Sequence, residues 1–226
     1  TLTGLTRNLT AGEMLSQIYQ IQKDTKERVS NIIVMGMGEP LDNYEELLRF
    51  IKLVSCEKGI GISQRNITVS TCGLVDKIRM LADEKLQITL AISLHAPNDE
   101  IRRQTMPIAN RYTIGEIIQA CKYYFDKTGR RITFEYSMIR GVNDKEEHAK
   151  ELAGRLSGLN CHINLIPLNE VKERNCYRST KEDIEKFKTI LEKYRKTVTI
   201  RREMGSDIDA ACGQLRKKFL TKNGRN

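Results

Sequence analysis

Two kinds of hydrophobic pattern alternate along this chain and predict strands followed by helices. Short apolar runs bounded by glycine or polar residues are typical of strands, and apolar residues spaced three or four apart are typical of amphipathic helices. The strands are predicted at residues 32–35, 67–70, 88–93, 132–138, 162–166 and 198–201. The helices are predicted after Thr10 and over residues 44–57, 75–81, 98–104, 113–125, 145–156 and 180–194, with Ile21 and Met80 in the apolar stripes of the first and third. This alternation indicates parallel strands with right-handed crossovers, which is an α/β fold.

The first predicted strand ends in a turn that combines two glycines with a carboxylate. The apolar run at 32–35 suits a strand that is buried on both faces. Gly36 and Gly38 permit a sharp turn, and Glu39 then lies at the carboxyl end of the strand, where parallel α/β folds bind ligands. Residues 42–45 (Asp-Asn-Tyr-Glu) match a capping box for the next helix. The stretch predicts a fixed carboxylate that accepts hydrogen bonds from a ligand ammonium group, and the alternative is a plain turn with Glu39 in solvent.

Other predicted strands also end in small or polar residues. Ser70 ends the second strand, Ser93-Leu94-His95 end the third, and Asn169 follows the fifth. Because the carboxyl ends of parallel strands meet at one edge, these residues are predicted to form the rim of a barrel or curved sheet that holds a polar ligand. Each residue also has a structural alternative. His95 could be a core histidine with its hydrogen bonds satisfied, and Ser70 could cap a helix.

The composition indicates a globular protein with a polyanionic partner. Hydrophobic residues make up 39% and charged residues 30% of the 226 positions, which suits one domain with one core. No apolar run approaches the roughly 20 residues of a membrane span, and residues 1–10 lack the pattern of a signal peptide. The net charge of +9 suits a nucleic-acid partner. A basic tail contributes Arg216, Lys217, Lys218, Lys222 and Arg225, and the alternative is that these bases form a solvated chain end without a partner.

The cysteine pattern indicates reduced thiols rather than a disulfide framework. The six cysteines are Cys56, Cys72, Cys121, Cys161, Cys176 and Cys212. They form no CxxC pair and have no zinc-ligand spacing, so we expect no metal ligands within this chain. Scattered thiols in a chain of this size are typical of a reducing compartment, and we therefore expect a cytoplasmic protein.

Four segments, taken in order along the chain, resemble one protein family. They are residues 35–41 (Met-Gly-Met-Gly-Glu-Pro-Leu), 93–100 (Ser-Leu-His-Ala-Pro-Asn-Asp-Glu), 163–169 (Ile-Asn-Leu-Ile-Pro-Leu-Asn) and 205–215 (Gly-Ser-Asp-Ile-Asp-Ala-Ala-Cys-Gly-Gln-Leu). The family is the radical S-adenosylmethionine (SAM) RNA methyltransferases, which methylate carbon 2 of an adenine in 23S ribosomal RNA and in transfer RNA. The resemblance implies a partial (β/α)6 radical-SAM barrel. It also implies a SAM pocket formed by Gly38, Glu39, Ser70, Ser93, Leu94, His95 and Asn169.

The resemblance further implies a mechanism that depends on Cys212. An aromatic C–H carbon is too weakly nucleophilic for polar methyl transfer, so a radical route is implied. One SAM methylates Cys212, a second SAM on a 4Fe-4S cluster is cleaved to a 5′-deoxyadenosyl radical, and the methyl carbon radical on the cysteine then adds to adenine. The alternative for Cys212 is an inert buried thiol.

The chain departs from the family pattern because no cysteine precedes Cys56. The family binds its 4Fe-4S cluster through a CxxxCxxC loop that lies just before a segment matching residues 1–8. We therefore expect an amino-terminally truncated radical SAM core over residues 1–226, inactive by itself, whose extension at 197–226 carries Cys212. The cluster cysteines, the first barrel strand, a small RNA-binding domain and a resolving cysteine are expected upstream of Thr1, which would leave the strand at 32–35 with an open edge.

Two other functions remain open from the sequence. The related enzyme that methylates carbon 8 of adenine and confers antibiotic resistance is similar, although Pro40 and Asp209 favour carbon 2. A protein without the cluster loop could also be a non-catalytic RNA-binding remnant. The expected partners are RNA and an electron donor for the cluster, with no membrane partner and a monomeric state.

Overall fold

The computed structural model describes residues 5–35, 38–168 and 177–202. Within these residues six strands form a sheet whose order follows the order of the chain. The strands are β1 (Ile32–Val34), β2 (Ile67–Thr71), β3 (Thr89–Ser93), β4 (Ile132–Met138), β5 (Cys161–Pro167) and β6 (Thr197–Ile200). The helices are α1 (Ala11–Thr25), α2 (Tyr44–Val54), α3 (Val75–Asp83), α4 (Asp99–Thr105), α5 (Ile114–Thr128), α6 (Glu146–Arg155) and α7 (Lys181–Lys193). The pairs β1–β2, β2–β3 and β5–β6 are parallel, so the predicted α/β fold with a parallel sheet is confirmed.

The long helices begin at residues that the sequence marks as caps. The Thr10 hydroxyl oxygen accepts a hydrogen bond from the Glu13 backbone N–H, and the Glu13 carboxylate accepts one from the Thr10 backbone N–H. Thr113 and Glu116 form the same reciprocal pair at the start of α5. Such capping boxes satisfy N–H groups that have no partner within the helix. The helices predicted after Thr10 and Thr113 are therefore confirmed.

The capping box predicted at residues 42–45 is wrong. A 3-10 helix over Pro40–Asn43 precedes α2, and Asn43, the cap of α2, makes no side-chain capping hydrogen bond. Glu39 caps this 3-10 turn instead, because its carboxylate accepts the backbone N–H of Leu41. Pro40 suits the first position of such a turn, since its φ is already helical and it has no N–H to satisfy.

The prediction that the first strand is buried on both faces is also wrong. Ile33 is 63% exposed, and its neighbours Ile32 and Val34 are half-buried. β1 lies at one end of the strand order among the described residues, which agrees with the open edge expected for it. An edge strand has a neighbour on one side only, so its apolar side chains receive less cover than those of central strands.

The described chain divides into two compact units. The first contains the residues up to Ser93 together with Ile108–Thr133. On one face of its strands Ile67, Val69 and Leu90 are fully buried. The opposite face carries small or polar residues, because the parallel register places Thr68 beside Thr89 and Ser70 beside Ala91. This unit therefore combines an apolar face with a face of small and polar side chains.

The second unit contains Leu94–Pro107 and the residues from Phe134 onward. Along its strands β4 and β5, polar residues alternate with apolar ones, and among the apolar ones Tyr136 and Ile163 are fully buried. The Tyr136 ring packs against Phe187 of α7 with 5.2 Å between the ring centroids. The predicted core at 1–226 with an extension from 197 stays a prediction, since residues 203–226 lie outside the described ranges.

Within the part of the chain that the structure describes, no helix is long and apolar enough to cross a membrane.

Candidate functional site

Glu39 is held at the carboxyl end of β1 by two backbone hydrogen bonds. Its Oε1 accepts the N–H of Leu41 at 3.1 Å, and its Oε2 accepts the N–H of Cys72 at 2.7 Å. Cys72 directly follows β2, so the carboxylate connects the ends of two neighbouring strands. The alternative in which Glu39 only contacts solvent therefore does not hold. Each carboxylate oxygen has a second acceptor site, so Glu39 can still receive hydrogen bonds from a ligand.

Gly38 has a backbone conformation that explains why glycine precedes this carboxylate. Its φ is +148°, a value that residues with a side chain rarely adopt. A Cβ added at Gly38 would meet no atom within 4 Å, so the requirement is conformational rather than steric. The glycine allows the chain to turn from β1 to Glu39.

Ser70 and Ser93 lie on the same face of the sheet in the first unit. Ser70 pairs with Ala91 in the parallel register, and Ser93 is two residues beyond Ala91. Because side chains alternate along a strand, Ala91 and Ser93 share the face of Ser70. Ser70 is 6% exposed and Ser93 is half-buried. The structure thus brings Gly38, Glu39, Ser70 and Ser93 to the carboxyl ends of β1, β2 and β3, as the strand-end pattern predicted.

Leu94 and His95 belong to the second unit, where β4 holds them in place. The backbone N–H groups of both residues donate to the carbonyl oxygen of Glu135, at 3.1 and 3.2 Å. His95 has a φ of +56°, and its Nδ1 accepts the N–H of Ser137 at 3.0 Å. Burial, together with the charge of Arg102, lowers the pKa of His95 to about 4. His95 is therefore neutral at pH 7. Its backbone N–H and its Nδ1 both have hydrogen-bond partners, and the residue is half-buried.

Two predicted site residues lie outside the described residues. They are Asn169 and Cys212, and the basic tail also lies outside the described ranges. Their roles remain predictions from the sequence.

The sequence reasoning missed a polar network on β4, β5 and β6 in the second unit. Asn164 donates to Oε2 of Glu135 at 2.8 Å, and the Thr199 hydroxyl donates to Oδ1 of Asn164 at 3.1 Å. The same hydroxyl lies 2.9 Å from Nε2 of His162. Burial raises the pKa of Glu135, against a smaller opposing effect of the Asn164 hydrogen bond and the Arg201 charge. The sequence signal that could have identified this network is the alternation of polar with apolar residues inside the strands predicted at 132–138, 162–166 and 198–201.

The described residues do not provide a site for an iron–sulfur cluster. No group of three or more His, Cys, Asp or Glu side chains in the described ranges could hold a metal ion. The sequence itself contains no CxxxCxxC arrangement. The residues that the structure describes therefore do not fit a 4Fe-4S cluster.

Comparison with known proteins identifies a family that this chain matches. The Radical SAM superfamily matches residues 6–153. The chain is 60% identical over 222 residues to a "Probable dual-specificity RNA methyltransferase RlmN" of Lachnoclostridium phytofermentans, which covers 98% of this chain and 62% of that protein. It is 61% identical over 220 residues to the protein of the same name in Lachnospira eligens, covering 97% of this chain and 63% of that protein.

A solved structure agrees with the sequence matches. The crystal structure of a radical SAM methyltransferase from Sphaerobacter thermophilus is 48% identical to this chain and superposes with a TM-score of 0.89. The superposition covers 94% of this chain and 63% of that one. The chain thus spans less than two thirds of the length of each of these relatives.

Proposed function

The chain belongs to the radical SAM superfamily, and we propose that it is the core of an RNA methyltransferase that methylates carbon 2 of adenine in 23S ribosomal RNA and in transfer RNA. The superfamily uses S-adenosylmethionine and a 4Fe-4S cluster. The observation that carries the proposal is the 60% identity, over 98% of this chain, with a relative named as a dual-specificity RNA methyltransferase. The carboxylate and hydroxyl groups at the strand ends support it, because they suit a polar, cationic ligand.

In this proposal the residues at the strand ends bind SAM, which supplies the methyl group. The Glu39 carboxylate accepts charge-assisted hydrogen bonds from the SAM ammonium group through acceptor sites not used by Leu41 and Cys72. Ser70 and Ser93 contribute hydroxyl groups from one face of the sheet. The resemblance implies that Leu94, His95 and Asn169 also bind SAM. The bonds from Leu41 and Cys72 hold Glu39 in place before the ligand arrives, which reduces the entropy lost on binding.

Cys212 is the proposed methyl acceptor. Its thiol loses a proton to solvent, and the thiolate sulfur attacks the methyl carbon of SAM. The new sulfur–carbon bond forms as the bond between methyl and sulfonium breaks, and the electron pair of that bond goes to the departing thioether. The product on the protein is S-methylcysteine. The neighbours Ala210, Ala211 and Gly213 add little bulk near the sulfur.

The partners and location follow from the same proposal. RNA is the substrate, and the net charge of +9 supports attraction to its phosphates. The target adenine is unpaired or flipped out of its stack when it reacts. A cytoplasmic location, a monomeric state and an electron donor for the cluster remain predictions.

The proposal is tested by Cys212→Ala in the full-length protein, with Cys56→Ala as the matched control. Cys56 is an exposed cysteine after α2 and has no role in the proposed chemistry. We expect Cys212→Ala to keep SAM binding but to lose both the methyl group on the protein and the methylated adenine in RNA. Mass spectrometry of digested protein and of RNA nucleosides measures both products. Adenine methylation by Cys212→Ala at the Cys56→Ala rate would overturn the proposed role of Cys212.

A further inference from the structure

The last residue of β2 is a buried threonine on the apolar face of the sheet. Thr71 is 1% exposed. Because side chains alternate along a strand, Thr71 shares its face with Ile67 and Val69, which are fully buried. Ser70 lies on the opposite face, which carries the predicted ligand residues. Thr71 therefore places a hydroxyl group on a face of β2 that is otherwise apolar.

The Thr71 hydroxyl group has its partner in the turn that follows β2. Its Oγ1 accepts the backbone N–H of Gly73 at 3.1 Å, and both groups are buried. Burying a hydroxyl group costs free energy unless the group is hydrogen-bonded, and valine would fill nearly the same volume without that cost. Packing alone therefore does not explain a threonine at this position, whereas the bond to Gly73 does.

The same bond restricts the direction of the Cys72 N–H, which donates to Oε2 of Glu39 at 2.7 Å. The ring that the bond closes runs from the Thr71 side chain to the Gly73 nitrogen and includes the peptide group between Thr71 and Cys72. Side-chain bonds of this kind to the N–H two residues onward fix the backbone of a turn. Gly73 has a φ of +101°, which glycine adopts without strain. The Thr71 hydroxyl group therefore orients the N–H that holds Glu39.

The two oxygens of the Glu39 carboxylate depend on different parts of the chain. Oε1 accepts the Leu41 N–H within the 3-10 turn that Glu39 itself caps. Oε2 accepts the N–H of Cys72, which is 33 positions away, so this bond fixes the carboxylate relative to the end of β2. Loss of the Thr71 hydroxyl group is therefore expected to loosen Oε2 and to leave Oε1 bonded.

We propose that Thr71 is a positioning residue for the Glu39 carboxylate, because its hydroxyl group orients the Cys72 N–H toward Oε2. The consequence for the ligand rests on the proposed function, in which Glu39 binds the ammonium group of SAM. The positioning itself rests on contacts within the first unit. Without the bond to Gly73, the carboxylate has more orientations to lose when SAM binds, which weakens the affinity.

Two substitutions at position 71 separate positioning from packing. Thr71→Val keeps the branched shape and removes the acceptor for Gly73, whereas Thr71→Ser keeps the acceptor and removes a buried methyl group. We expect Thr71→Val to weaken SAM binding about 3- to 10-fold, the effect of one lost hydrogen bond. We expect Thr71→Ser to bind SAM like the wild type although it is less stable. Calorimetry with SAM and urea unfolding of the full-length protein measure the two quantities.

The order of the two affinities decides between the roles. If Thr71→Ser binds SAM as weakly as Thr71→Val or more weakly, the affinity follows packing and the proposal is overturned. Thr128→Val is the matched control, because Thr128 Oγ1 accepts the N–H of Arg130 at 3.1 Å, also two residues onward, at the end of α5 in the same unit. We expect this control to keep wild-type affinity. Equal weakening in Thr71→Val and Thr128→Val would also overturn the proposal.

Hydrogen exchange at the Cys72 amide tests the positioning without SAM. We expect this amide, followed by NMR of the full-length protein, to exchange about 3- to 10-fold faster in Thr71→Val than in the wild type or Thr71→Ser. An unchanged rate in Thr71→Val would overturn the positioning role. If the wild type fails to bind SAM while the Cys72 amide responds as expected, the proposed function is overturned and the positioning of Glu39 by Thr71 is confirmed.

Discussion

At the scale of single residues, Glu39 has both carboxylate oxygens bonded to backbone N–H groups, those of Leu41 and Cys72. Hydrogen bonds to a charged group contribute more than neutral ones, about 1.5–3 kcal/mol. Glu39 therefore stabilises the turn and, in the proposed function, also binds the ammonium group of SAM. A variant at this position changes both properties, so the experiment needs a control that separates them.

Glu39→Ala is expected to lower the free energy of unfolding by about 1.5–3 kcal/mol and to weaken SAM binding. Glu46→Ala is the matched control, because the Glu46 carboxylate also accepts a backbone N–H, that of Ala11, but lies on α2. We expect the control to lose stability and keep its affinity for SAM. Urea unfolding and calorimetry measure the two quantities. Equal SAM affinity in both variants would leave Glu39 with a structural role alone.

His95 predicts a pH dependence of stability. Its folded pKa, about 4, is below the ordinary 6.5, because burial and Arg102 disfavour the charged ring. A proton on Nδ1 would also face the Ser137 N–H. The unfolded chain therefore binds this proton more readily, so the stability contribution is complete above pH 6.5 and is lost as pH falls toward 4. The loss is roughly 3 kcal/mol at most, since the ring is partly exposed.

Urea unfolding between pH 4 and 7 tests this dependence by comparing the wild type with His95→Asn. The comparison cancels the contribution of other groups, including Glu135, whose raised pKa acts in the opposite direction. We expect the stability difference between the two proteins to shrink as the pH falls. A constant difference across the range would mean that His95 titrates normally in the folded state.

At the scale of elements, the strands of the first unit have two unlike faces. Leu90 is fully buried, whereas Ile33 is 63% exposed on the opposite face at the edge strand. Burial, rather than residue type, determines how much a hydrophobic side chain contributes. The small and polar face is also the face of Ser70 and Ser93, so the face that lacks apolar packing is the one that carries the predicted ligand residues.

Substitutions on the two faces are expected to differ in cost. Leu90→Ala should lower the free energy of unfolding by about 2–5 kcal/mol, because it leaves a cavity in a packed core. Ile33→Thr keeps a β-branched side chain at an exposed position and should change stability by about 0.5 kcal/mol or less. Denaturant unfolding of both variants measures the difference. A large loss in Ile33→Thr would show that the open face of β1 is covered in the full-length protein.

At the scale of the whole molecule, 38 basic and 29 acidic residues give the chain its net charge of +9. RNA phosphates attract such a surface, and release of counterions makes the binding depend on salt. The basic tail carries five bases and no acid over residues 216–225, and it lies outside the described residues. Net charge alone does not distinguish a specific contact with RNA from general attraction to it. A control variant with the same net charge but a different position of the removed bases makes this distinction.

Neutralising Arg216, Lys217 and Lys218 is expected to flatten the salt dependence of RNA affinity. If each base contacts a phosphate of single-stranded RNA, the slope of log affinity against log salt should fall by about 2. Neutralising Lys181, Lys188 and Lys193 on α7 removes the same charge from another surface. Binding titrations at several salt concentrations compare the two. Equal changes in slope would indicate general attraction rather than contact by the tail.

The sequence by itself determined the order of the strands and helices and the starts of α1 and α5, because the signals for them are local. Thr10 and Thr113 cap their helices through residues three positions away, and β4 spans the predicted residues 132–138. Gly38 and Glu39 lie at the end of β1 for the same reason, since a short apolar run followed by glycine marks a strand end. The signal in each case lies within a few residues of the element that it marks.

Only the tertiary structure determined which partners the side chains of those elements contact and how deeply they are buried. The Glu39 carboxylate accepts the N–H of Cys72, 33 positions away, and Nδ1 of His95 accepts the N–H of Ser137, 42 positions away. Ile21 and Met80 belong to predicted apolar stripes, yet they are 52% and 43% exposed. Periodicity shows which side of a helix is apolar, but burial requires a neighbouring element to cover it, and that neighbour comes from elsewhere in the chain.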